Sequence, residues 1–298
     1  MYSIFSFITL LPNSLKDGII LIGVFMTKIF NLINSECQFI QEMINLGITQ
    51  IRKADFQQKG LYYQSFTCLS VGLERLLKLI IILDTYNDTD TFYTQEQLKR
   101  LGHKINNLYL KCINIGNKYG VDNKYSEGDT IYNSIIDILS EFADTGDNNR
   151  YYNLNYISEV NTNEFVLPKD TMCKWYENID KYIYNSKISA KKKQEIESHS
   201  NLLGYVLNTG AMISFNSENN ILINDGISFL LNKNRQLVCQ KYRVLFVAQI
   251  VRYLSNILNK LCDALWQKSN NNIPYFYDYF IVYRCDDNYL KNRKKFYE

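Results

Sequence analysis

GLERLLKLIIILD, residues 72 to 84, is the stretch from which the fold is read. Leu69, Leu73, Leu76, Ile80 and Leu83 recur at spacings of 4, 3, 4 and 3, which draws one apolar stripe along a helix. That periodicity predicts a helix from about Gly60 to Asp84, with Glu74, Arg75 and Lys78 interrupting the apolar run. DTYNDTDTFYT follows and reads as a polar loop. Thr94 then starts a second helix as its N-cap, with Gln97 completing a capping box. Leu98, Leu101, Ile105 and Leu108 form the second apolar stripe, so the two helices are predicted to pack as an antiparallel hairpin.

The same reading extends in both directions. SLKDGIILIGVFMTKIFNLI and ECQFIQEMINLGITQIRKADF carry helical spacing, as do IYNSIIDILSEFAD, CKWYENIDKYIYN, AKKKQEIESHSNLLGYVLNT and RVLFVAQIVRYLSNILNKLCDALWQK. AMISF and ILIND are too short to separate strand from buried turn. Only 3 prolines occur in 298 residues, so long helices can run uninterrupted. The fold class is all-α. Pro168 divides an N-terminal helical domain, residues 1–167, from a helical C-terminal extension, residues 168–298, packed on it.

Composition excludes more than it identifies. With 46% hydrophobic and 21% charged residues the chain has the profile of a folded protein, not a disordered one. A net charge of +3 does not announce a polyanion partner. The 7 cysteines are scattered and never form C-x-x-C, which argues for reduced, buried thiols in a cytoplasmic protein. IILIGVFM near the N-terminus is far shorter than the roughly 20 residues of a membrane-spanning helix. No stable membrane insertion is expected; a buried helix pair fits that region better. Glycine-rich nucleotide cradles, H-E-x-x-H, G-x-S-x-G and acidic calcium loops do not occur, so no metal and no cofactor is expected.

The polar residues of the hairpin are the candidates for chemistry. Glu74 and Lys78, four apart, share a helix face and can pair. Arg100, His103 and Asn107 stand at i, i+3 and i+7 of the next helix, and Gly102 lets a backbone or ligand approach beside His103. Antiparallel packing would bring the two faces together. An imidazole with a guanidinium nearby suits phosphodiester chemistry, since one moves a proton near neutral pH and the other stabilises charge on phosphorus.

GLERLLKLIIILD, the polar loop and LKRLGHKINNLY together resemble the central helical hairpin of HEPN domains (higher eukaryotes and prokaryotes nucleotide-binding), over roughly residues 60 to 115. The resemblance rests on Glu74-x-x-x-Lys78 and on the Gly102-His103 pair. It implies an all-α bundle, homodimerisation across these helices, and metal-independent RNA cleavage in toxin–antitoxin or antiviral-defence systems. Such an effector would have an RNA substrate and a neutralising or regulatory protein partner. Other members of that family have lost catalysis and bind a nucleotide, RNA or protein. Active members place four to six residues between an arginine and the histidine, whereas only Leu101 and Gly102 separate Arg100 from His103. The second histidine, His199, has Lys192, Lys193 and Gln194 at the corresponding positions, so it does not restore the motif. Three functions therefore stand side by side: an RNA-targeting effector with His103 as acid/base, Arg100 on phosphate and Glu74 and Lys78 orienting them; a silent binding module using the same face; and a membrane-associated or structural helical protein.

Overall fold

A computed structural model of the chain describes residues 28–122, 130–144, 151, 154, 157, 170–210, 213–268 and 273–296. The helices in chain order are α1 (Lys28–Ile51), α2 (Gly60–Thr89), α3 (Gln95–Arg100), α4 (Ile105–Lys118), α5 (Thr130–Ala143), α6 (Thr171–Trp175), α7 (Lys181–Lys187), α8 (Ala190–Gly210), α9 (Gly226–Gln267) and α10 (Asp287–Asn292). A π-helical segment, Tyr176–Asp180, joins α6 to α7. Among the described residues the only strands are β1 (Phe215–Asn216) and β2 (Leu222–Ile223), paired antiparallel ahead of α9. The fold is all-α. No helix among the described residues is long and apolar enough to cross a membrane.

α2 is the centre of the N-terminal part and packs on α1, α4, α5 and α9. Its contact with α1 is close because glycine faces it. A Cβ on Gly72 would stand 2.7 Å from Ile44 Cγ1, and one on Gly47 would stand 2.6 Å from Leu69 Cγ. The predicted stripe is the buried one: Leu69, Leu73, Leu76, Ile80 and Leu83 are all fully buried.

α2 runs past Asp84 to Thr89, through residues read from the sequence as loop. The polar side chains there have partners at the C-terminal end of α4 and its cap residue, which is why the helix continues. Lys118 Nζ donates to Asp84 Oδ1 at 2.8 Å and to Asp88 Oδ2 at 2.7 Å, and Asn87 Nδ2 donates to Tyr119 Oη at 2.9 Å. Asp90, at φ +54°, then ends α2 in the left-handed conformation. The second half of the hairpin also differs from the reading. Thr94 and Gln97 form the expected capping box, but the helix stops at Arg100 and a new one starts at Ile105. Gly102 turns the chain at φ +71° between them. Leu98, expected inside, is 38% exposed, whereas Ile105 and Leu108 are buried.

Elsewhere the periodic segments are helices with moved boundaries. Residues 28 to 51 form one continuous helix where two were expected. α9 begins at Gly226, well before Arg243, and its 42 residues span about 63 Å. Its N-terminal part pairs with α8, where a Cβ on Gly204 would meet the Ile227 backbone at 2.5 Å. Its second half packs on α1, α2, α4 and α5. One buried cluster runs from Ile33 to Phe296 and joins residues from both sides of Pro168. Pro168 itself and residues 1–27 lie outside the described residues, and with them the expected domain boundary and the N-terminal helix pair.

Candidate active-site groove and a buried polar centre

Glu74 is the joint of the candidate site. It sits mid-way along α2, one turn before Lys78, whose Nζ donates to Glu74 Oε1 at 2.7 Å. The same oxygen lies 2.9 Å from His103 Nδ1, across the gap between α2 and the α3–α4 turn. An ionised carboxylate only accepts, so this contact puts the imidazole proton on Nδ1. Nε2 is then left as the ring's other working atom. Glu74 is only 19% exposed at the side chain, whereas His103 is 79% exposed, so a sheltered carboxylate orients an accessible imidazole. In acid/base sites of known mechanism a carboxylate holds an imidazole in this way.

Arg100, Gly102, His103 and Asn107 all line one groove with Glu74, completed by Ser70, Lys104 and Asp144. The groove holds about 560 Å³. The helix break thus corrects the i, i+3, i+7 reading: these residues share the groove because Gly102 reverses the chain, not because they share a helix face. Lys78 reaches Glu74 from outside the groove's lining. Arg100 is nearly free in solvent, its closest carboxylate being Glu96 at 3.9 Å. Arg75 has a different task. It donates from Nε to Glu36 Oε1 at 2.6 Å and lies 4.3 Å over the Phe39 ring, so it ties α2 to α1. His199 is exposed on α8 beside Lys192, which pairs with Glu195 at 3.0 Å. Lys193 Nζ turns away to donate to the Asn185 carbonyl at 3.1 Å.

A second polar centre was missed in the sequence. Arg243, on α9, is fully buried and forks onto Asp180 of the π-helical segment, Nε to Oδ1 and Nη2 to Oδ2 both at 2.7 Å. Arg243 Nη1 also donates to the Ala54 carbonyl at 2.8 Å, and the guanidinium lies 5.2 Å over the Tyr62 ring. Burial opposes its charge, but Asp180 outweighs burial and, with Tyr62, holds the guanidinium above its usual pKa. Glu218, in the β1–β2 turn, is buried beside this pair and accepts from Tyr62 Oη at 3.2 Å and from Gln236 Nε2. Burial pushes its carboxyl up to about 7 against the pull of Arg243. Among the described residues Glu218 Oε2 has no hydrogen-bond partner, which fits a protonated carboxyl. The available signal was Arg243 itself, a charge at the head of the largely apolar run VLFVAQIV. Its partner lies 63 positions away, so no spacing rule connects them.

Among the described residues no group of three or more His, Cys, Asp and Glu side chains is placed to hold a metal ion. None of the 7 cysteines is in a disulfide; six are buried and Cys285 is partly accessible. No protein-family model, characterised protein or solved structure matches the chain.

Proposed function

We propose that the groove beside His103 is the RNA-contacting face of a HEPN-like module and that it cleaves the phosphodiester backbone without a metal. The observation that carries this reading is the hydrogen bond between His103 Nδ1 and Glu74 Oε1, which joins residues 29 positions apart and leaves Nε2 exposed. In this reading Nε2 takes the proton of a ribose 2′-hydroxyl, and the 2′-oxygen attacks the adjacent phosphorus. The bond to the 5′-oxygen breaks, and that oxygen leaves with a proton from water. Arg100, 80% exposed and among the described residues held only by Glu96 at 3.9 Å, is available to the phosphate oxygens. Lys78 keeps Glu74 in place. A symmetric homodimer would set two such faces side by side, and a cell using this chain in defence or as a toxin would need a protein that neutralises it.

The test is cleavage of an end-labelled tRNA pool in EDTA by the wild type, His103→Ala and Glu74→Gln, with sedimentation of each variant. His103→Ala is expected to lose at least about 100-fold in rate, the contribution of a positioned acid/base, while Glu74→Gln loses less and keeps RNA affinity. Equal cleavage by His103→Ala and wild type would remove the proposal. The exposed cations Arg100 and Lys104 on the groove support a second reading, RNA binding without cleavage. It would be recognised by salt-dependent binding that Arg100→Ala weakens while no product forms.

A further inference from the structure

We infer that the cavity between the π-helical segment and α9 is a binding site for a small anion bearing a carboxylate or phosphate group. The cavity holds about 290 Å³ and shares no lining residue with the His103 groove. Its wall is built from Tyr176, Asp180, Lys181, Tyr184, Arg235 and Gln236, among others. The volume is at the lower limit of small-molecule sites, roughly 300–1,000 Å³, and excludes a polymer.

Charge selects the ligand's sign. Asp180 contributes the wall's carboxylate, and Arg243 neutralises it through two hydrogen bonds at 2.7 Å. Arg235 and Lys181 remain, and among the described residues neither has a carboxylate within ion-pair distance. Arg235 lies 5.2 Å over the Tyr184 ring and Lys181 lies 5.5 Å over the Tyr176 ring, contacts that position both cations without cancelling their charge. Two buried polar atoms of the wall side chains, Arg235 Nε and Tyr184 Oη, have no hydrogen-bond partner among the described residues. Buried donors left unmade are costly, and an oxyanion brought within reach of either would offset that cost.

The backbone supplies an independent indication. Tyr176 and Asp180 enter the wall from the π-helical segment, whose wider turn re-aims side chains relative to an α-helix. Such segments cost hydrogen-bond quality and recur at functional sites. Here the one π segment among the described residues frames the cavity that carries the unpaired cations.

Isothermal titration of the full chain with phenyl phosphate, benzoate and inorganic phosphate, and with neutral benzamide as control, tests this directly. Saturable one-site binding of at least one anion is expected, weakened about tenfold or more in Arg235→Gln, the loss of one charge-assisted bond. Binding of phenyl phosphate or inorganic phosphate without benzoate identifies a phosphoryl ligand, and the converse a carboxylate. Tyr184→Phe, which keeps the ring under Arg235, is expected to weaken binding by a smaller factor. Circular dichroism confirms that each variant is folded. No saturable binding by any of the three anions, equal binding of benzamide, or unchanged affinity in folded Arg235→Gln would each overturn the assignment.

Discussion

Glu218 is a carboxyl whose proton affinity depends on folding. Its unfolded value is about 4.5 and its folded value about 7, raised by burial first. The folded state therefore binds the proton more tightly, and the stabilisation is complete below pH 4.5 and lost as pH rises through about 7. Glu218→Gln keeps an acceptor for Tyr62 and does not titrate. The wild type is expected to lose roughly 2–4 kcal/mol relative to that variant between about pH 4.5 and pH 8. Thermal melts of both across that range check the sign, and a parallel pair of curves would show that Glu218 does not titrate there. None of this was legible in the sequence, where Glu218 sits in a polar run, SENN, with nothing to mark it as buried. Glu74 was legible because its partner Lys78 is local; its contact with His103 required only that the two helices meet.

At the scale of elements, two glycines separate packing from conformation. Gly72 has no unusual backbone, but any side chain there would strike Ile44, whose Cγ1 and backbone nitrogen stand 2.7 and 3.2 Å from a Cβ. Gly102 is the reverse, with open space around it and φ +71°. Gly72→Ala is expected to cost about 1–3 kcal/mol as α1 and α2 separate. Gly102→Ala is expected to cost about 1 kcal/mol through the backbone alone, and, under the function proposed above, to weaken RNA cleavage or binding more than it lowers the melting temperature. Denaturant titrations paired with the RNA assay distinguish the two patterns. Helices were readable from the sequence wherever an apolar stripe was long, as in α2, α5 and the second half of α9. Their ends were not. The last turn of α2 is held by Lys118 and Tyr119 at the end of α4, and the break before Ile105 depends on Gly102, which a continuous leucine pattern conceals.

Across the whole molecule, the C-terminal residues close the structure onto its first described helix. Tyr283 Oη hydrogen-bonds Asn45 Oδ1 at 2.5 Å, Phe296 N donates to Thr49 Oγ1 at 3.0 Å, and Arg52 donates to the Lys291 carbonyl at 3.2 Å. Tyr283, Phe280, Phe276 and Leu290 belong to the same buried cluster as α1 and α2. Deleting residues 273–298 is therefore expected to abolish the cooperative unfolding transition followed by near-ultraviolet circular dichroism, because it uncovers α1 along these buried contacts. A truncated chain that still melts in a single sharp transition would show that this closure is dispensable. The aromatic ending was conspicuous in the sequence, but its destination was not, because 3₁₀ turns at Phe276–Asp278 and Ile281–Arg284 carry no long-range periodicity.

The thiols add a timing property to this architecture. Six of the seven are buried, and burial pushes Cys239 up to about 12 and Cys262 up to about 11, so in the folded protein these two are neither reachable nor ionised. Because Cys37 on α1, Cys112 on α4, and Cys239 and Cys262 more than six turns apart on α9 belong to one core, each reacts with an alkylating reagent only while its own region is open. The chain thus carries internal clocks along its length, and their relative rates would record the order in which the helices come apart.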